Sequence, residues 1–229
     1  MIMSTFKHRP QLQSGLYLVM TRPRDGYERL CACAVEAGIA AVQLRIKNHD
    51  EHDPLVLARR LRALTRGSST LFIVNDSPEI AMESDADGLH IGQQDISAVE
   101  ARQIIGPEKL LGLSTHNLEQ VRAANNAPVD YIGFGPLYLT NSKACPDPVV
   151  GPEALEAAYQ STTHPIVAIG GLNLERIEKL GPHAHNVAVI RAVSEAEDPL
   201  TAMRKIQTAF LRKKLSSSFD GIAETSLRG

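Results

Sequence analysis

Tryptophan is absent from this 229-residue chain, and aromatic residues together reach only 4%. Proteins that grip single-stranded nucleic acid stack its bases on aromatic rings, so that class loses its main instrument. Neither charge is in surplus. The 24 Lys and Arg stand against 26 Asp and Glu, a formal net of −2, which leaves no positive field to gather nucleic acid or an anionic membrane. No apolar run approaches the roughly 18 residues of a membrane span. Residues Met1 to Gln13 carry charges without an apolar stretch and do not read as a secretory signal. Cysteine is scarce as well. Cys31, Cys33 and Cys145 are odd in number and fall at no zinc or redox spacing, which points to a reducing, cytoplasmic setting. What is present is ordinary for a globular chain, 43% hydrophobic and 22% charged, at a length that α/β barrels commonly reach as one domain.

Repetition organises the rest. Short apolar runs occur at Gly15–Met20, Ala41–Arg45, Leu71–Asn75, Gly88–Ile91, Lys109–Ser114, Asp130–Gly135, Pro165–Gly170 and Asn186–Ile190. Most do not alternate strictly, as expected of strands buried on both faces of a parallel sheet. Between and after them lie segments of helical length: Gly26–Ala37, Asp50–Arg66, Pro78–Ser84, Ser97–Ile105, Leu118–Asn125, Pro152–Gln160, Leu174–Leu180 and Pro199–Lys213. Start signals support several, with Asp50 and Asp53 before Pro54, Ser97 three residues before Glu100, and Asn117 three before Gln120. Eight regular units with no break in composition predict one closed (β/α)8 TIM barrel over residues 1–215, an open doubly wound sheet being the alternative. The Ser-rich tail, 216–229, reads as loose.

Barrels of this kind carry their chemistry at the C-terminal ends of the strands. In the second run, Gln43 and Arg45 share one face, Val42 and Leu44 the other, so the polar pair faces the barrel mouth. A guanidinium there needs an anion, either a phosphate-bearing ligand or a buried carboxylate across the barrel. Asp76 and Asp95 end neighbouring strands. Two carboxylates with ligand phosphates suit Mg2+, although helix capping explains an aspartate at either position equally well. Gly170-Gly171 after the seventh strand allows close backbone approach of an anion. Gly135 to Gly151 is the longest connection at this rim and holds Thr140-Asn141-Ser142-Lys143. Lys143 with Arg45 and Lys47 provides three cations opposite two carboxylates. His90 reads equally as a core histidine or a ligand contact, His116 as part of a helix start, and His52, His183 and His185 as surface residues. No nucleophile–base pair falls on the strand ends.

These residues resemble the thiamine phosphate synthase (thiamine-phosphate pyrophosphorylase) family from about Leu16 to Val193. The likeness rests on Val42-Gln43-Leu44-Arg45-Ile46-Lys47, Asn75-Asp76, Ala86 to Asp95 (ADGLHIGQQD), Gly112-Leu113-Ser114-Thr115-His116-Asn117, Asp130 to Pro136 (DYIGFGP) and Ala168-Ile169-Gly170-Gly171. The resemblance implies condensation of a hydroxymethylpyrimidine diphosphate with a hydroxyethylthiazole phosphate, both small-molecule substrates, to thiamine phosphate and pyrophosphate. Carried over by motif, the run Gln43-Leu44-Arg45-Ile46-Lys47, Asn75, Ser114 and Lys143 would hold the pyrimidine diphosphate, Ser114 and Lys143 acting in catalysis. Asp76 and Asp95 would bind Mg2+. Thr140, Asn141, Ser142, Gly170, Gly171, Ile190 and Arg191 would hold the thiazole phosphate.

Three positions depart from the family pattern. Ser142 replaces a Thr, keeping the hydroxyl; Gly181 to Asn186 replaces a Gly-Ala-x-Gly approach to the last strand; and Arg191 stands where a small Ser is usual. Arg191 either adds a charge contact to the thiazole phosphate or fills its pocket. Two rival readings are a thiazole tautomerase of the same barrel type, which gives the Gln-x-Arg-x-Lys run, the aspartates and Lys143 nothing to do, and a non-catalytic protein that binds thiamine phosphates.

Overall fold

The computed structural model describes residues 9–46, 52–140 and 147–226, the last eleven of them by backbone only. Eight strands alternate with helices: β1 (Gly15–Met20), α1 (Tyr27–Ala37), β2 (Ala41–Leu44), α2 (Pro54–Thr65), β3 (Leu71–Asn75), α3 (Pro78–Glu83), β4 (Gly88–Ile91) and α4 (Ala98–Ile105) form the first half. The second half is β5 (Leu110–Thr115), α5 (Leu118–Ala124), β6 (Tyr131–Phe134), α6 (Ala154–Gln160), β7 (Ile166–Ala168), α7 (Leu174–Lys179), β8 (Asn186–Val189), α8 (Arg191–Ser194) and α9 (Pro199–Ser226). All eight strands pair in parallel and in chain order, and β8 closes on β1 with Gly15 opposite Asn186 and Leu18 opposite Val189. The expected closed (β/α)8 barrel is therefore the fold, and no open sheet edge remains.

Strand parity divides the apolar residues into two cores. Side chains pointing outward, such as Leu16, Leu18, Val42, Leu44, Phe72, Val74, Leu89 and Ile132, pack under the helices. Those pointing inward, Tyr17, Val19, Ala41, Ile73, Leu110, Tyr131, Val167 and Ala188, fill the barrel itself. Successive residues on a strand face opposite sides, so one alternation supplies both layers. Two inward positions are glycine because larger rings need their space. A Cβ on Gly112 would sit 2.2 Å from Tyr131 Cζ and 2.4 Å from His90 Nδ1, and one on Gly133 would press on His90 Cε1 at 3.3 Å.

Capping follows the start signals. Asp53 accepts from Leu55 N and Val56 N, Ser97 and Glu100 form a reciprocal capping box, and Asn117 accepts from Gln120 N. Two further caps, Ser77 on Ile80 N and Asn173 on Arg176 N, hold α3 and α7.

The structure departs from the sequence reading in three places. The four-residue helix α8 leaves no sign in the sequence, being shorter than any periodic signal. Helix α9 runs to Ser226, through residues read as a loose tail, since propagating a helix needs only one backbone hydrogen bond per added residue. His185 is not a surface residue: it is half-buried beneath the barrel, its Nε2 3.0 Å from the Leu12 carbonyl, and burial lowers its pKa. Among the described residues, no helix is long and apolar enough to cross a membrane. Cys31 and Cys33 are free thiols on α1, and burial pushes the Cys31 thiol up to about 12.

Candidate active site at the barrel mouth

A cavity of about 490 Å³ opens at the C-terminal ends of the strands. Gln43, Arg45, Asn75, Ser114, Thr140, Gly170, Gly171, Ile190 and Arg191 all line it, so most of the expected site residues converge there. Lys47, Asn141, Ser142 and Lys143 lie outside the described residues, as does Cys145. Leu44 and Ile46 do not line the cavity. Their side chains pack with the outer core, because residues flanking inward Gln43 and Arg45 must face the helices. Any part they play in binding would fall to their backbone.

A chain of hydrogen bonds crosses the floor of the cavity through six strands. Gln43 Nε2 donates to Asn75 Oδ1 at 2.6 Å, and the Tyr17 hydroxyl donates to Gln43 Oε1 at 2.7 Å. The Tyr17 and Tyr131 oxygens are 3.1 Å apart, His90 Nδ1 is 3.2 Å from Tyr131 Oη, and His90 Nε2 is 2.9 Å from Ser114 Oγ. One direction of donation satisfies every link. Because Tyr17 spends its proton on Gln43, Tyr131 must donate to Tyr17; it then accepts from His90 Nδ1–H, and Ser114 donates to His90 Nε2. The Ser114 oxygen keeps a lone pair for the cavity. Burial raises the pKa of Tyr17 and of Tyr131, so both phenols stay protonated and the chain persists at neutral pH. His90 is thus both core residue and site residue, resolving the two readings of its position.

Arg45 sits at one edge of the mouth. Its guanidinium pKa is lowered by burial, while the charges of Asp76 and Asp95 act in the opposite direction. Both aspartates therefore lie close enough to Arg45 to be felt. Neither caps a helix: Ser77 and Ser97 perform that task. Asp95 Oδ2 instead accepts from Gly92 N at 2.7 Å, and Asp76 occupies left-handed backbone at φ 67, a conformation that aspartate adopts at some cost. Two carboxylates beside a poorly solvated cation fit a metal ion that also takes phosphate and water ligands.

The Gly170-Gly171 turn has a packing reason beside its functional one. Both residues have positive φ, 104 and 61, and a Cβ on Gly170 would meet Pro136 Cα at 2.4 Å while one on Gly171 would meet the Leu139 carbonyl at 2.7 Å. The connection after β6 lies directly on the turn, with Leu137 N donating to Ile169 O and Tyr138 N to Gly170 O. Arg176 staples the two, donating to the Gly171 carbonyl with its guanidinium carbon 4.4 Å from the Tyr138 ring centroid. Arg191 stands at the rim, half exposed, with Nε 2.8 Å from Glu195 Oε1.

Sequence reasoning missed several cavity residues: Tyr17, Tyr131, Arg176, Glu195, and the pair His116 and Asp147. Strand parity could have found the tyrosines, since Tyr17 lies opposite Ala41, two residues before inward Gln43. Nothing in the spacing relates His116 to Asp147.

Comparison with known proteins agrees with this geometry. The profile of the family described as thiamine monophosphate synthase matches residues 16–193. A thiamine-phosphate synthase of Vibrio campbellii is 38% identical over 190 residues, 82% of this chain and 93% of the relative. One from Moorella thermoacetica is 37% identical over 88% of this chain and 98% of its own length. Of a third, from Thermosynechococcus vestitus, 38% identical, the chain spans only 56%. Among solved structures, thiamine phosphate pyrophosphorylase from Pyrococcus furiosus superposes with a TM-score of 0.80 at 31% identity, covering 89% of this chain and 98% of that one. The 3-hexulose-6-phosphate synthase of Salmonella typhimurium, at 13% identity and a TM-score of 0.67, shares the fold alone. The match over most of the chain, on a barrel whose mouth gathers the family's motif residues, makes this protein a member of the thiamine monophosphate synthase family and a transferase enzyme.

Proposed function

We propose that the barrel mouth joins a hydroxymethylpyrimidine diphosphate to a hydroxyethylthiazole phosphate by a dissociative displacement, releasing pyrophosphate. The observation that carries the reading is the charge arrangement around Arg45: a cation with reduced solvation, felt by two carboxylates, at the edge of a cavity floored by neutral polar groups. Such an edge suits a diphosphate with its counter-ion, and such a floor suits an uncharged heterocycle.

Arg45 and Lys143 would hold the diphosphate oxygens as the bond from carbon to the leaving oxygen breaks and its electron pair departs with pyrophosphate. Mg2+, held by Asp76 and Asp95, would supply positive charge to those same oxygens when bound. Gln43, Asn75 and Ser114 orient the pyrimidine, and the Ser114 lone pairs face a donor on the ring. The carbocation so formed accepts the lone pair of the thiazole nitrogen, making the C–N bond. No proton moves and no protein nucleophile is required. Thr140, Asn141, Ser142, the Gly170-Gly171 turn and the Ile190-Arg191 strand end would hold the thiazole phosphate.

The test is turnover of both substrates by purified protein, with and without Mg2+, read as thiamine phosphate by thiochrome fluorescence and as pyrophosphate released. Formation of both products only with Mg2+ is the expected result. Binding of either substrate without product overturns the reading in favour of a sensor, and rearrangement of the thiazole alone favours a tautomerase.

A further inference from the structure

The long connection between β6 and α6 enters the site along one arm and leaves it along another, and the two arms are held by different means. The outgoing arm, from Gly135 to Thr140, is bonded to the β7 end through Leu137 N and Tyr138 N and braced by Arg176. The returning arm, from Asp147 to Gly151, is joined to the outgoing one by a backbone bond from Val150 N to Pro136 O at 2.9 Å. His116, just past β5, stands between them. Its Nδ1 is 2.6 Å from the Gly135 carbonyl, and its Nε2 is 3.4 Å from Asp147 Oδ2. Its own amide donates to Gln120 Oε1 at 2.7 Å, which fixes the ring's point of attachment.

The chemistry of the contacts sets the protons. A carbonyl only accepts, so Nδ1 carries hydrogen, and the opposite edge of the ring, at Nε2, stands at ion-pair distance from the Asp147 carboxylate. We infer that His116 is the positioning residue of this connection, tying the returning arm at Asp147 to the outgoing arm at Gly135. Its consequence for turnover rests on the proposed function; the clamp itself does not. His116 then acts through Asp147 and not on the substrate directly.

The experiment separates the two. Amide hydrogen exchange at Val150 is followed in the full chain for wild type, His116→Asn, Asp147→Asn and the double variant. His116→Asn keeps a donor for the Gly135 carbonyl and loses the reach to Asp147. Expected are exchange at Val150 about tenfold faster in each single variant and no faster in the double, because both remove one link. In the same proteins the KM for the thiazole phosphate rises about tenfold while kcat at saturation changes less than about threefold. Unchanged exchange at Val150, or effects that add in the double variant, overturns the clamp. So does a kinetic loss confined to His116→Asn, which would make His116 a direct substrate contact. Because Asp147 is a partly exposed side chain, Asp147→Asn keeps the test decisive if the His116 variant folds poorly. Inactive wild-type protein would defeat the proposed reaction and leave the exchange result to decide the clamp.

Discussion

The two ends of the barrel use the same residue, aspartate, in opposite ways. At the lower end Asp87 precedes β4 and Asp130 precedes β6. Asp87 Oδ2 accepts from Phe72 N at 2.9 Å and from Arg62 Nη1 at 3.0 Å. Asp130 Oδ2 accepts from Leu111 N at 2.8 Å and from Arg102 Nη2 at 2.6 Å, and Arg9 donates to its other oxygen. Each latch joins the second residue of an odd strand, the residue before the next strand, and an arginine from the helix preceding the pair. Arg102 also donates to the carbonyls of Pro128, Gly106 and Lys109, so its charge is met on all sides. At the upper end Asp76 and Asp95 act on Arg45 beside a cavity, and Asp76 holds a left-handed backbone to stay there. The lower charges meet one another within the protein, so removing one partner strands the other, whereas Arg45 borders a cavity and is available to a ligand there.

The sharpest way to break this contrast is at the upper aspartates. Asp76→Asn and Asp95→Asn should each lower kcat/KM at least about a hundredfold and weaken its dependence on Mg2+, with unfolding midpoints close to wild type. Equal turnover in either variant would return that residue to a structural role. At the lower end the expectation inverts. Asp130→Asn removes one side of a largely buried pair and should cost about 3 kcal/mol in denaturant unfolding, with kcat/KM retained under folding conditions. A loss of activity at full stability would show that the two ends are coupled. The smallest effect is expected at Arg191, whose half-exposed guanidinium is already shared with Glu195. Arg191→Ser should raise the KM for the thiazole phosphate about two- to threefold, and a strong gain in affinity would instead mean that the arginine obstructs the pocket.

Much of this architecture was legible in the residues because it follows from short-range rules. Period-two alternation places Gln43 and Arg45 inward and Val42 and Leu44 outward, and Ser97 with Glu100 announces α4. The lower latches were not legible. Asp87 and Asp130 look like ordinary turn residues, and their partners lie 25 and 28 residues away on helices. The polar floor was half legible: Gln43, Asn75 and Ser114 stand at strand ends, while the tyrosines that connect them belong to strands otherwise read only as apolar.

The sequence by itself determined the number and order of the strands, which face of β2 is polar, and which end of the barrel collects polar side chains, because all three depend on alternation and on the direction of a parallel strand. Only the tertiary structure decided which of those side chains meet. Closure of β8 on β1 brings six strands to one floor and lets protons order along it. The packing of the β6 connection against the β7 turn explains the glycines at 170 and 171. His116 meets Asp147 because the chain returns past β5, a proximity set by the path of the backbone through space and by no local preference of either residue.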